Sequence, residues 1–422
     1  MRILMLALEY PPKNVGGLST HVYFLSHALN KLGHEVHVIT CGEGDIPFEE
    51  NDEGVYVHRV RNYEIDTYNF INLVMLQNYA IIEEGIRLFN KIGKVDIIHG
   101  HDWLVAFAAK TLKSAYTTPM VATIHATEYG RNNGIRTEMQ KFISSTEYLL
   151  TYESWKVIVC SHYMKQQLSD LFTTPWDKMW IIQNGVDINS FKIEFEQKEF
   201  RRKYAEDDEK IVFFVGRHVY EKGIHLLIEA AQGILCNYNR TKFIIGGRGP
   251  MTDELICKVK SMCIENKFEF IGYVDDETKN KLYKVSNAAV FPSLYEPFGI
   301  VALEAMAAGC PVVVSDTGGL SEIVQHKVNG IKTITNNSNS IKDAIIEIIR
   351  DENLSNNLRQ NGFKTVMEKY SWHRVAELTV HVYNTVKQEA AGTDWEIKQF
   401  NDYNKIIEGE EKTENTISCA LN

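Results

Sequence analysis

The chain has 422 residues, 44% of them hydrophobic and 24% charged, with a formal net charge of −10. That length exceeds one ordinary core and leaves room for two or three domains, while the composition excludes a disordered chain. The acidic balance argues against nucleic acid as the main partner, and no apolar run approaches the ~18 residues that a membrane span needs.

From the amino end, Met1 to Leu8 form a short apolar run that meets Glu9 and then Tyr10-Pro11-Pro12. A buried parallel strand accounts for it better than a signal peptide, because no small-residue cleavage site follows. Further strands are expected at 35–41, 55–60, 95–99, 120–124, 157–160 and 180–183, with helices at 18–32, 69–90, 104–114, 139–152 and 163–171. After a charged, aperiodic stretch at 184–208 the alternation restarts. Strands are expected at 211–215, 242–245, 268–271, 288–291, 312–315 and 330–333, and helices at 222–234, 252–265, 276–285, 300–308, 319–324 and 340–350. Strand–helix alternation of this kind implies parallel sheets with crossover helices on both faces. The reading is therefore α/β, with two doubly wound, Rossmann-like domains in series. The first domain ends at 185 and the second begins at 186, and residues 391–422 form an acidic tail expected to fray.

Seven scattered cysteines (Cys41, Cys160, Cys236, Cys257, Cys263, Cys310, Cys419) make no C-x-x-C pair. They read as reduced, mostly buried thiols, as in cytosol.

Ligands of doubly wound sheets bind outside the strands' carboxyl ends, so the loops there carry the interest. The first contains Gly16-Gly17 at the start of a helix; it is either a tight turn or a place where free N–H groups and the helix dipole hold a phosphate. The spacing is not G-x-G-x-x-G, which argues against a dinucleotide dehydrogenase. The loops His99-Gly100-His101-Asp102-Trp103 and His125-Ala126-Thr127-Glu128 offer polar contacts to a sugar. Asp102 as a helix cap is the plain alternative, and the spacing lacks a metal-binding pattern. Arg217 and Lys222, in Gly-Arg-His-Val-Tyr-Glu-Lys-Gly, could neutralise a diphosphate or be ordinary surface charge. Glu296 precedes a helix and Glu304 lies inside it on an apolar run, where a carboxylate needs a ligand or a cation such as Arg217 or Lys222. Tyr129, Tyr152, Trp155 and Trp176 suit sugar stacking but read more simply as core.

The run EPFGIVALE (Glu296 to Glu304), with GRHVYEKG and SDTGGLSEIV around it and a glycine pair after Pro11-Pro12, closely resembles the glycogen-synthase-like retaining glycosyltransferases of family 4, over roughly residues 1–390. The resemblance implies the GT-B fold, with two Rossmann-like domains facing an interdomain cleft and the helix at 371–387 crossing back to the first domain. It implies a nucleoside-diphosphate-sugar donor, a carbohydrate acceptor such as a glucan, and no separate cofactor or metal. By that likeness Arg217 and Lys222 hold the diphosphate, with Gly16 and Gly17 against it. Glu304 meets the ribose, Glu296 the donor sugar, and the backbone of Phe298, Gly299, Ile300 and Val301 both sugar and phosphate. His125 sits by the sugar, and Asp102 near the acceptor. Glycogen synthases often carry Lys-x-Gly-Gly, whereas Lys13 here stands one residue further from the pair. The rival readings are a sugar-nucleotide 2-epimerase of the same fold and a non-catalytic sugar-binding module.

Overall fold

A computed structural model describes residues 1–12, 16–42, 44 and 46–396. Lys13, Cys419 and the acidic end from residue 397 onward, most of the segment expected to fray, lie outside these residues.

The first sheet is built from β1 (Arg2–Leu6), β2 (Glu35–Cys41), β3 (Glu49–Asp52), β4 (Val55–Val60), β5 (Ile97–His101), β6 (Met120–Ile124), β7 (Lys156–Val159) and β8 (Met179–Ile181). Their order is β3-β4-β2-β1-β5-β6-β7-β8, parallel except for the β3–β4 pair. Ile3 to Leu6 are wholly buried, as a central parallel strand covered on both faces requires. The amino end is thus the middle of a sheet. Helices α1 (Gly17–Lys31), α2 (Phe70–Ile92), α3 (Ala106–Tyr116), α4 (Glu128–Asn132), α5 (Glu138–Glu153) and α6 (His162–Phe172) cover it.

The second sheet comprises β9 (Lys210–Val215), β10 (Thr241–Gly246), β11 (Phe268–Gly272), β12 (Ala288–Phe291), β13 (Val312–Ser315) and β14 (Ile331–Thr333), all parallel, in the order β11-β10-β9-β12-β13-β14. This is the 3-2-1-4-5-6 winding, which reverses direction between β9 and β12 and leaves a crevice there. In the first sheet the same reversal falls between β1 and β5. A short α7 (Gln197–Arg201) precedes this sheet. Helices α8 (Ile224–Asn237), α9 (Thr252–Ser261), α10 (Asp276–Val285), α11 (Ile300–Ala307), α12 (Gly318–Ile323) and α13 (Ser338–Arg350) accompany its strands, and α14 (Glu352–Lys369) and α15 (Trp372–Ala390) follow.

α15 returns to the first sheet and packs on α1. Trp372 stacks on Phe24 with centroids 5.5 Å apart, the Tyr383 hydroxyl meets His99 Nδ1 at 2.7 Å, and Lys387 pairs with Asp96 at 2.7 Å. At the crossing, Val186 N–H donates to the Tyr370 carbonyl at 2.9 Å.

Several elements depart from the sequence pattern. β3 is an added antiparallel edge strand, and α4 forms where a loop was expected. β5 runs two residues later than expected, so His99 and His101 are strand residues. α9 stops at Ser261 rather than 265, with Cys263 in the left-handed region at φ 55°. The thiols are not mostly buried: among the described residues Cys41, Cys160 and Cys310 are, while Cys236, Cys257 and Cys263 are exposed. Among the described residues no helix is long and apolar enough to cross a membrane.

Candidate active site

The two crevices face each other, and the first contact across them is between helix starts. Gly16 caps α1 with extended backbone and no side-chain hydrogen bond, and Gly299 caps α11 in the same unsupported way. A Cβ placed on Gly17 would lie 3.3 Å from Ile300 Cδ1, so the two amino ends abut. Each helix therefore offers first-turn N–H groups, with no side chain capping them, at the positive end of its dipole. Gly299 adopts φ +109°, and a side chain there would strike Leu320, so both backbone and space demand glycine. Phe298 is buried behind this turn, with Ile300 and Val301 half-buried.

On the first-lobe side, Asp102 follows β5 and is buried, with φ 60°. It occupies a cap position, but its side chain makes no cap bond; Oδ1 accepts the His125 N–H at 2.7 Å instead. The carboxylate thus fixes the loop after β6. Burial pushes Asp102 up to about 6, against the opposing Arg131 charge and the N–H groups of His125 and Ala126. His125 is half-buried, and burial together with Arg131 pushes it down to about 3, so its ring is neutral. His125 Nε2 lies 3.3 Å from His101 Nδ1, and His21 of α1 stands edge-on to the His125 ring at 4.6 Å. Burial holds His21 and His101 well below the usual imidazole range. One nitrogen from each of His21, His101 and His125 lies within 4.8 Å of the others, and His21 Nε2 and His101 Nε2 lack hydrogen-bond partners. Three neutral imidazoles are a ligand set that a metal could use. The set comes from three separate elements, so sequence spacing gave no hint of it.

On the second-lobe side, Lys222 Nζ pairs with Glu296 Oε2 at 2.7 Å, and Ser293 Oγ donates to the same oxygen at 3.1 Å. Glu296 is buried, yet its partner Lys222 reaches the crevice surface with 22% of its side chain exposed. Arg217 is half exposed and its nearest acid is Glu221 at 3.6 Å, which leaves the guanidinium free to turn toward an anion. Glu304 does not pair with Arg217 or Lys222, the partners anticipated for it. Lys279 of α10 takes its Oε1 at 2.9 Å, and Oε2 is a buried acceptor without a partner. The core reading of Tyr129, Tyr152 and Trp176 is also corrected: all three are exposed, while Trp155 is half-buried. Lys178 lies 5.9 Å from the Tyr152 ring centroid and Lys165 4.7 Å from that of Trp176.

Two further contacts close the cleft. Ser161 Oγ donates to the Pro297 carbonyl at 2.7 Å, and Glu322 of α12 accepts the first N–H groups of α6, from His162 at 3.1 Å and Tyr163 at 2.9 Å.

Residues 15–190 match the family model described as Glycosyltransferase Family 4, and residues 196–365 the one described as Glycosyl transferases group 1. The chain is 43% identical over 389 residues to an uncharacterised glycosyltransferase of Methanocaldococcus jannaschii, covering 91% of this chain and 98% of that relative. It is 34% identical over 404 residues to the glycogen synthase of Mycobacterium tuberculosis, covering 92% and 95% of the two chains. Among solved structures, sucrose-phosphate synthase from Thermosynechococcus elongatus superposes with a TM-score of 0.81 at 22% identity, over 92% of this chain and 99% of that one.

Proposed function

This chain belongs to glycosyltransferase family 4, and from that premise we propose that it is a retaining enzyme that moves glucose from ADP-glucose or UDP-glucose to an acceptor hydroxyl. The likeness to a glycogen synthase favours an α-1,4-glucan as acceptor. In this reading residues 1–185 hold the acceptor, 186–370 the donor, and 371–390 strap the second part to the first.

The observation that carries the reading is the meeting of two helix starts without side-chain caps, α1 at Gly17 and α11 at Ile300, with Lys222 held by Glu296 just ahead of α11 and Arg217 five residues from Lys222. A diphosphate is the ligand that two such amino ends and two cations suit. Glu304 Oε2, buried and unsatisfied, accepts from a ribose hydroxyl. Glu296 takes donor-sugar hydroxyls, and the backbone of Phe298 to Val301 reaches sugar and phosphate. His125 lies against the sugar, held there by Asp102, with the acceptor arriving from the first lobe.

The bond from the anomeric carbon to the diphosphate oxygen then breaks as charge builds on the leaving group, where Lys222, Arg217 and the helix starts stabilise it. The acceptor oxygen attacks the oxocarbenium-like carbon from the face that the diphosphate leaves, and the departing diphosphate oxygen takes the acceptor's proton. Closure keeps water from intercepting the sugar.

The test is a matrix of nucleotide sugars against glycan, sugar-phosphate and lipid acceptors, scored by released nucleoside diphosphate and by the anomeric configuration of the product. Transfer with retention is expected, greatest with a glucosyl donor and a glucan. A new sugar nucleotide formed from donor alone would make the chain an epimerase. Donor binding without turnover over the whole panel would make it a binding module.

A further inference from the structure

Tyr295 belongs by sequence to the second lobe, between β12 and Glu296, yet its side chain is buried in the first. The Thr127 N–H donates to its hydroxyl at 3.1 Å, and the hydroxyl donates to Gln167 Oε1 at 3.1 Å. Gln167 Oε1 also accepts from Thr127 Oγ1 at 2.8 Å, which closes a three-membered polar ring around the phenol. Met164 Sδ lies 3.6 Å from the hydroxyl, and the Tyr163 ring stands at 60° to that of Tyr295 with centroids 6.1 Å apart. The floor of the seat is Gly130 in α4. A Cβ there would fall well inside van der Waals contact with Cε2 and Cζ of Tyr295. Gly130 is not in the left-handed region, so its backbone would accept alanine, which a helix prefers. What glycine supplies at this position is room for the ring.

The root of Tyr295 is fixed as firmly as its tip. Leu294 N–H donates to the Glu221 carbonyl at 2.7 Å, one residue before Lys222, and Lys222 holds Glu296. Thr127, which binds the tip, is two residues beyond His125. One ring therefore joins the loop that carries His125 to the loop that carries Lys222 and Glu296.

We propose that Tyr295, seated over Gly130, is a positioning residue that sets the separation between the donor-side pair Lys222–Glu296 and the acceptor-side His125. The inference rests on the glycosyl-transfer reading for its effect on rate, but the seat itself is a matter of geometry. Transfer needs the two sides in register to within about 1 Å, and losing that costs up to about 10²-fold.

Gly130→Ala is expected to unseat the ring: transfer kcat falls by about 10²-fold, nucleoside diphosphate affinity measured by calorimetry changes less than about twofold, and donor hydrolysis gains relative to transfer. Tyr295→Phe keeps the ring and loses the phenol, so it shows the same pattern in weaker form. It also serves as the second variant should Gly130→Ala fold poorly. The double variant Gly130→Ala/Tyr295→Ala should be no slower than Tyr295→Ala alone, since without the ring the added methyl has nothing to strike. Wild-type transfer in Gly130→Ala, or losses that multiply in the double variant, would overturn the proposal. If the wild type transfers no sugar at all, the functional reading falls while the seat is still judged, by small-angle scattering with ADP or UDP present. A larger radius of gyration for Gly130→Ala than for wild type supports the seat, and equal radii overturn it.

Discussion

At Glu147 a carboxyl is 1% exposed, with Oε1 accepting the Glu128 N–H at 2.8 Å and Oε2 unpartnered. Burial pushes it from 4.5 up to about 8, against the Glu128 N–H and the Arg131 charge. The native state thus keeps a proton that the unfolded chain gives up, and its stability falls as pH rises from about 4.5 to about 8. Glu147→Gln, which cannot ionise, should flatten that slope: its melting temperature is expected to exceed wild type at pH 8.5 and to match it near pH 4.5, by calorimetric scans. Arg217 lies at the other extreme, half exposed and weakly paired. Arg217→Ala should leave the melting temperature unchanged and lower kcat by about 10²-fold, the cost of one lost charge-stabilising donor. Near-wild-type turnover would remove the diphosphate role. Glu304 combines both kinds of behaviour. Glu304→Gln gives Lys279 a neutral partner and Oε2 an amide in its place, so a higher donor KM is expected together with a lower unfolding midpoint.

Among the elements, α15 ties the end of the described chain back onto α1. Trp372 is buried between Phe24 and His21 of α1. Trp372→Ala should cost about 3–5 kcal/mol, read as a drop in the urea midpoint. This helix was expected from the family resemblance and not from periodicity, and its buried residues Trp372, Val375, Ala376, Thr379, Val382, Tyr383 and Val386 do keep helical spacing. Central strands were legible, and β12 and β13 fall where short apolar runs put them. β3 was not, because Glu49-Glu50-Asn51-Asp52 has no apolar alternation and pairs only through β4. α4 escaped for a related reason: five residues containing a glycine carry no periodicity, and Thr127 capping Gly130 is what starts it. The site divided in the same way. The glycines, cations and carboxylates were legible because each ends a strand or opens a helix. The partners of Glu304 and Asp102, the clustering of His21 with His101 and His125, and the seat of Tyr295 were not, since each depends on how distant loops meet.

At the scale of the molecule, the two lobes are joined by two crossings that run side by side, one at Gly185–Val186 and one at Tyr370–Trp372. A Cβ on Gly185 would lie 2.8 Å from the Trp372 nitrogen and 3.0 Å from the Ser371 carbonyl carbon. Gly185→Ala should therefore spread the crossings and cost about 1–3 kcal/mol, with a lower urea midpoint and altered closure on nucleotide. The return of α15 also bears on how the chain is made. The first lobe leaves the ribosome before the second, but the helix that covers α1 emerges some 200 residues after β8. At about 5–20 residues per second this is a wait of roughly 10–40 s, during which the second lobe, continuous in sequence, can close while the first still shows an uncovered apolar flank. The lobe made earlier waits on a helix that follows the later one, and that interval is when a nascent chain of this design most needs a chaperone.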